Sequence, residues 1–225
     1  MTKRQFAIIG LGRFGSAIAS TLVELGQDVL GIDTDPARVD ELADSVPHLL
    51  QLNAIDARAL REAGVADMDV AVVSIGANIE ASLLIVMTVK ELGVKYIMAK
   101  ATTAVHGRIL EKLGVDRVVY PEREMATRMA HSLVVPNVLD YIGLSADFSI
   151  VEIPAPAAFV GKSLREIDLR ARHGLTLIAI KRGDKGATQV TNVAPSADER
   201  ILASDTLAVV GSNEQLKGLE ALLEG

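Results

Sequence analysis

The chain opens on an apolar run at residues 6–9, breaks into glycines, and then resumes apolar positions at helical spacing. The run predicts a buried strand. Phe14, Ile18, Leu22 and Leu25 predict one face of a helix that Gly26 ends. Further apolar runs at 28–33, 48–52, 70–75, 96–99 and 117–120 predict strands. Helical patterns at 36–44, 57–63, 78–92 and 104–113 separate them. Asp35-Pro36, Asp56 and Asn78 read as helix starts, and Gly64, Gly93 and Gly114 as stops. The fourth run, Val70-Ala71-Val72-Val73-Ser74-Ile75, is apolar almost throughout, as in a parallel strand covered on both faces. Strands alternating with helices in two halves predict an α/β fold with a Rossmann-like doubly wound parallel sheet.

At Pro121 the pattern changes. Residues 122–133 are helix-like, Pro136 interrupts, and apolar periodicity resumes over 138–142. This reads as a broken helix. It either packs on another subunit or folds back on its own sheet. From Phe148 onward short strands are expected at 149–153, 175–180, 188–190 and 206–210. Pro154 and Pro156 mark a loop, Ser163 caps a short helix at 164–167, and 183–186 is a hairpin turn. Asn213 is expected to cap a last helix at 214–223. The expectation is a first domain at 1–144, crossover helix included, and a small α+β C-terminal lobe at 145–225.

The glycines carry the chemistry. Gly10-Leu11-Gly12-Arg13-Phe14-Gly15 is G-x-G-x-x-G between a strand and a helix, the context in which that motif binds a dinucleotide. Gly10 makes the tight turn, Gly12 admits a phosphate, and Gly15 lets helix and strand close up. The N–H groups of the helix start then face an anion. Asp33 ends the second strand, where a carboxylate accepts from ribose hydroxyls and repels a 2′-phosphate. Asp35 is a helix cap or a second ligand. Asn53, followed by Ala54, lines an adenine pocket or makes a turn. Ser74, Ile75 and Gly76 end the fourth strand at the same sheet edge, and Lys100 ends the fifth there. Lys100 either neutralises phosphate or sits in solvent. Arg13 opposes the helix dipole unless an anion is bound.

Composition narrows the class. The 225 residues are 49% hydrophobic but 3% aromatic, so the core is aliphatic. Cys is absent, which removes disulfides, thiol nucleophiles and thiolate metal sites. Net charge is −6 with scattered basic residues, which argues against nucleic acid as a partner. No signal peptide or membrane-length apolar run is visible, so a cytoplasmic protein is expected. His48, His106, His131 and His173 show neither metal-ligand spacing nor a triad pattern.

Three stretches carry a family resemblance: the glycine motif, Ser74-Ile75-Gly76-Ala77-Asn78, and Tyr120-Pro121-Glu122. With Phe159-Val160-Gly161-Lys162-Ser163-Leu164 and the run from Gly174 to Ile180, nearly the whole chain resembles RCK domains. One N lobe and one C lobe is the layout of Ktr-type potassium transporter subunits. The resemblance implies a cytosolic regulatory subunit that binds ATP or ADP, with NAD or NADH as other ligands of this fold. It implies a homo-oligomer built from dimers, an octameric ring, and a membrane-embedded potassium transporter as partner. The protein would then lie at the inner face of the membrane. By the same resemblance, Arg13 reaches the terminal phosphate of ATP. Glu122 holds Mg²⁺ or Ca²⁺ near the phosphates, unless it merely complements its helix dipole. Lobes of this kind also bind cyclic di-AMP. Arg170 and His173 would supply the cations and Ile178, Ile180 and Pro195 the walls. The competing readings are a small NAD-dependent oxidoreductase and a stand-alone nucleotide sensor. The C-terminal unit is small for a catalytic domain and offers only His173 as a proton-transfer group.

Overall fold

The computed structural model of the chain describes residues 3–134, 139–145, 147–183 and 190–219, except the side chains of 131, 132, 134 and 140. It divides into two compact units, Met1–Pro121 and Glu122–Gly225.

In the first unit strands and helices alternate as β1 (Gln5–Ile9), α1 (Arg13–Glu24), β2 (Asp28–Asp33), α2 (Pro36–Glu41), β3 (His48–Gln51) and α3 (Ala57–Glu62). Then come β4 (Val70–Val73), α4 (Ile79–Glu91), β5 (Tyr96–Lys100), α5 (Ala104–Lys112) and β6 (Arg117–Val119). The six strands are parallel, in the order β3-β2-β1-β4-β5-β6. The order reverses between β1 and β4, so the C-terminal ends of these strands open the crevice of a doubly wound sheet. Both faces are covered. Ala7, Ile9, Ala71 and Val73 enter one apolar cluster with α4 and α5 residues. Ile8, Val70 and Val72 enter a second with Ala19 of α1. That double burial is why β4 reads as continuous apolar sequence.

Four helix starts of this unit are capped by side chains. Asp35, Asp56, Asn78 and Thr103 accept from backbone N–H groups of α2, α3, α4 and α5. Two carboxylates pin strand starts: Asp69 Oδ2 accepts from Gln5 N at 3.0 Å and Asp116 Oδ2 from Ile97 N at 2.7 Å.

The second unit begins inside α6 (Pro121–Val134) and continues with β7 (Asp140–Gly143) and β8 (Phe148–Pro154). Next are α7 (Leu164–Ile167), α8 (Leu169–His173), β9 (Thr176–Arg182), β10 (Val190–Val193), β11 (Thr206–Ser212) and α9 (Asn213–Gly218). Its five strands form an antiparallel sheet ordered β10-β9-β11-β8-β7. Ser149, Val151 and Ile153 alternate into the buried face of β8. Val151 and Ile153 share a core with Leu169, Leu175, Ile180, Leu207 and Leu216. Buried Asp205 accepts from Arg182 Nε and Nη2, both at 2.9 Å, and from Leu202 N at 2.8 Å. Burial pushes this carboxyl up, but the donors outweigh it and hold it below the usual range.

Two expectations change and one helix is new. The apolar periodicity expected over 138–142 as resumed helix is in part a strand: Asp140–Gly143 pairs with β8 from Glu152 to Ser149. A run this short cannot distinguish strand from helix until its partner is known. Ser212, not Asn213, caps α9, in a reciprocal box with Gln215. Residues 169–173, to which the sequence pattern assigns no element, form α8, entered through Asp168 at φ 46° and left at Gly174. The expected positions Pro136, Val138, Asp184, Lys185, Gly186, Thr188 and Leu223 lie outside the described residues.

Candidate nucleotide site

The site is built at the C-terminal ends of β1, β2, β4 and β5. Gly10 turns the chain at φ +95°, its N–H donating to Ile32 O at 2.8 Å. A side chain at Gly15 would run into the Gly10 carbonyl and stand 2.5 Å from Ser74 Oγ. At Gly12 the same space is empty, with nothing within 4 Å. Gly10 and Gly15 therefore serve the closeness of turn and helix, and Gly12 leaves room above the helix start. No side chain caps α1 at Gly12, unlike the other four helices of the sheet, and no acid lies in its first turn. That start combines open N–H donors with the positive end of the dipole. Arg13 is exposed beside it.

Asp33 is 7% exposed at the end of β2. Its Oδ2 accepts from Leu11 N at 2.7 Å, its Oδ1 from Asp35 N at 3.0 Å, and Arg38 Nη1 donates to Oδ2 at 3.3 Å. Burial pushes the carboxyl up; the two N–H donors and the guanidinium more than offset it, so Asp33 titrates below its usual range. It stays ionised, welded to the glycine turn through Leu11. Asp35 caps α2, Oδ1 accepting from Ala37 N at 3.0 Å, and Oδ2 lies 3.5 Å from Arg38 Nε. Arg38 is thus a site residue the sequence reading passed over. Its signal was a cation in the first turn of α2, just past the acidic strand end.

Ser74 donates from Oγ to Gly10 O at 2.5 Å, and its N–H donates to Ile9 O at 2.8 Å. Its side chain is spent on holding the turn. Ile75 and Gly76 continue along the edge, both partly buried. Lys100 Nζ stands 5.8 Å from the centre of the Phe14 ring. A methyl group at Gly76 would lie 3.5 Å from Lys100 Cε and 3.0 Å from Thr102 Cγ2. Phe14, Gly76 and Lys100 are therefore together at this edge. Asn53 makes a local turn, Oδ1 accepting from Ile55 N at 3.1 Å, and Ala54 is buried in the core.

In the second unit, Glu122 and Glu124 occupy the first turn of α6. No group of three or more His, Cys, Asp or Glu suited to a metal is found among the described residues. Arg170 and His173 ride on α8, and Pro195 follows β10. No hydrogen bond or ion pair joins these three side chains. The His173 ring is 6.3 Å from that of Phe159, tilted at 53°. Ile180 is 1% exposed inside the core, so it is not available as a wall for a second effector, contrary to expectation.

The doubly wound sheet, the open glycine turn and the ionised strand-end carboxylate define a nucleotide-binding domain of the Rossmann class. Comparison with known proteins gives the particular family. The TrkA-N domain matches residues 6–121 and the TrkA-C domain residues 148–224. Ktr system potassium uptake protein C of Bacillus subtilis (strain 168) is 41% identical over 218 residues, covering 97% of this chain and 96% of that protein. Ktr system potassium uptake protein A of Vibrio alginolyticus is 32% identical over 213 residues, 95% and 94% of the two chains. The GsuK RCK domain shares the fold with a TM-score of 0.66 and 21% identity; it covers all of this chain, which spans 48% of its own. The GsuK channel bound to NAD gives 0.63 and 21%, over 99% of this chain and 40% of its own. The chain belongs to the RCK-domain family of Ktr-type potassium uptake regulatory subunits. Among the described residues no helix is long and apolar enough to cross a membrane.

Proposed function

We propose that the protein is a nucleotide-binding regulatory subunit that gates a membrane-embedded potassium transporter from the cytoplasmic side. ATP or ADP binds at the glycine turn, and the two nucleotides favour different conformations of a homo-oligomeric ring, an octamer built from dimers by family likeness. One observation carries the reading. Gly12 leaves the start of α1 open while the starts of α2, α3, α4 and α5 are capped by side chains, and ionised Asp33 stands at the neighbouring strand end. Phosphates suit the first and ribose hydroxyls the second. No catalytic step is assigned.

A divalent ion on Glu122 would take its other ligands from phosphate oxygens and water, since a single carboxylate does not complete a hard-cation shell. Cyclic di-AMP at the C lobe would rely on Arg170 and His173 from two copies of the chain, with Ile178 and Pro195 as the remaining walls.

The test is calorimetry of the full chain with ATP, ADP, NAD and NADH, with NAD included because an NAD-bound RCK channel shares the fold. Binding of ATP or ADP, abolished in Gly12→Val, is expected. Absence of heat with all four ligands overturns the reading. Preference for NAD over ATP and ADP replaces nucleotide sensing by dinucleotide sensing.

A further inference from the structure

His106 is buried to 1% exposure on α5, yet half of its polar capacity is unused. Its Nδ1 accepts from Thr102 N at 3.4 Å, and its Nε2 has no partner. A neutral ring accepting at Nδ1 carries its proton on Nε2. Such a donor, buried and unmet, is a standing cost. Helix capping does not require the ring: Thr103 Oγ1 caps α5 by accepting from His106 N at 3.1 Å.

The bond to Thr102 gives the ring a lever. Thr102 sits between β5 and α5, two residues past Lys100. Its Cγ2 borders Gly76, where an added methyl would stand 3.0 Å from it and 3.7 Å from Lys100 Nζ. Lys100 in turn lies over Phe14. A second proton on the ring would place an N–H at Nδ1 against the N–H of Thr102. Acceptor becomes donor, two donors oppose each other, and the loop has to move. Burial alone pushes this imidazole below its ordinary value of 6.5. The titratable groups on the elements packed against α5 add nothing to that shift. They are Glu80, Lys90 and Glu91 on α4, Arg117 on β6, Tyr120 beyond it, and Lys100 at the end of β5.

We propose that His106 is a proton-operated latch: its neutral ring fixes the Thr102 loop beside Gly76 and Lys100, and protonation releases that wall of the nucleotide site. Acid then lowers nucleotide affinity without touching the glycine turn. The coupling to affinity rests on the nucleotide reading above; the movement of the loop does not.

Two readouts separate these. The first is ATP affinity of the full chain between pH 7.5 and 5.0, compared with His106→Asn, whose Oδ1 replaces Nδ1 as a permanent acceptor. Both proteins meet the same titrating ligand, so the ratio of their affinities isolates the ring. At least a fivefold fall of wild type relative to the variant is expected. A ratio constant within twofold overturns the coupling. The second readout is hydrogen exchange of residues 98–110 in the unliganded chain, wild type against variant at each pH. Acid-induced loss of protection in wild type alone is expected. Equal behaviour of the two proteins overturns the latch. His106→Gln is the second variant should Asn fail to fold. If wild type binds none of ATP, ADP, NAD and NADH at any pH, the nucleotide reading fails and the exchange experiment still decides the latch.

Discussion

Replacing Asp33 by Asn tests whether the strand-end carboxylate is structural as well as ligand-facing. The carboxylate accepts from Leu11 N at 2.7 Å and Asp35 N at 3.0 Å, with Arg38 alongside. Asn keeps one oxygen and turns an amide donor toward the other N–H. One charge-assisted bond, worth about 1.5–3 kcal/mol, is lost, and a buried N–H is left facing a donor at a cost of about 1–3 kcal/mol. These overlap, so a loss of about 2–4 kcal/mol is expected. At a urea m-value of about 2 kcal/mol/M, the midpoint of the first unit falls by about 1–2 M with m unchanged. Acid supplies the sign. The folded carboxyl titrates below its ordinary 3.8, so its contribution is complete above that pH and is lost as pH falls through the lowered value. The gap between wild type and Asp33→Asn therefore narrows below pH 3.8 and is flat above it. A midpoint shift under ~0.3 M at neutral pH, or a gap that widens in acid, would refute the reasoning.

The two other glycines of the motif should part company: Gly12→Val abolishes ATP binding with little change in the urea midpoint, whereas Gly15→Ala destabilises by about 1–3 kcal/mol through overpacking on Gly10 and Ser74. Urea melts and calorimetry on both separate them, and equal stability losses would contradict the geometry. Arg13→Ala should weaken ATP by about 1.5–3 kcal/mol, the worth of a charge-assisted bond, and ADP by less. Equal losses in calorimetry would remove its role at the terminal phosphate. Glu122→Gln should abolish any Mg²⁺ or Ca²⁺ enhancement of ATP-linked melting temperature; an unchanged ion effect leaves Glu122 as a helix-dipole residue. Light scattering at micromolar concentration should find a dimer or larger, and a monomer with and without nucleotide would contradict the ring.

The first unit was legible because its signals are local. Val70 to Val73 are buried on both faces and so spell a parallel strand, and Asp35, Asp56 and Asn78 announce helix starts by their own hydrogen bonds. The second unit hid where its signals are long-range. Residues 140–143 become strand only by pairing with 149–152. Leu169–His173 becomes helix only because Asp168 accepts a left-handed φ that sequence assigns first to Gly or Asn. At the site, Asp33 and the glycines were readable from type and spacing. Arg38 and the Ser74 hydroxyl were not, since each matters through a partner on another element. Ile180 was misassigned because a β-strand shows which residues share a face, not which face is covered.

The hydroxyl of Ser74 on the carbonyl of Gly10 has a mechanical consequence. It spans the boundary where β1 meets β4, so it rivets the left half of the sheet to the right half at the turn itself. With Gly15 jammed beneath, the turn has no slack to give. A ligand settling on it meets an anvil, not a hinge. Any difference between one bound ligand and another is therefore expressed away from the turn, by side chains such as Arg13, exposed at the start of α1.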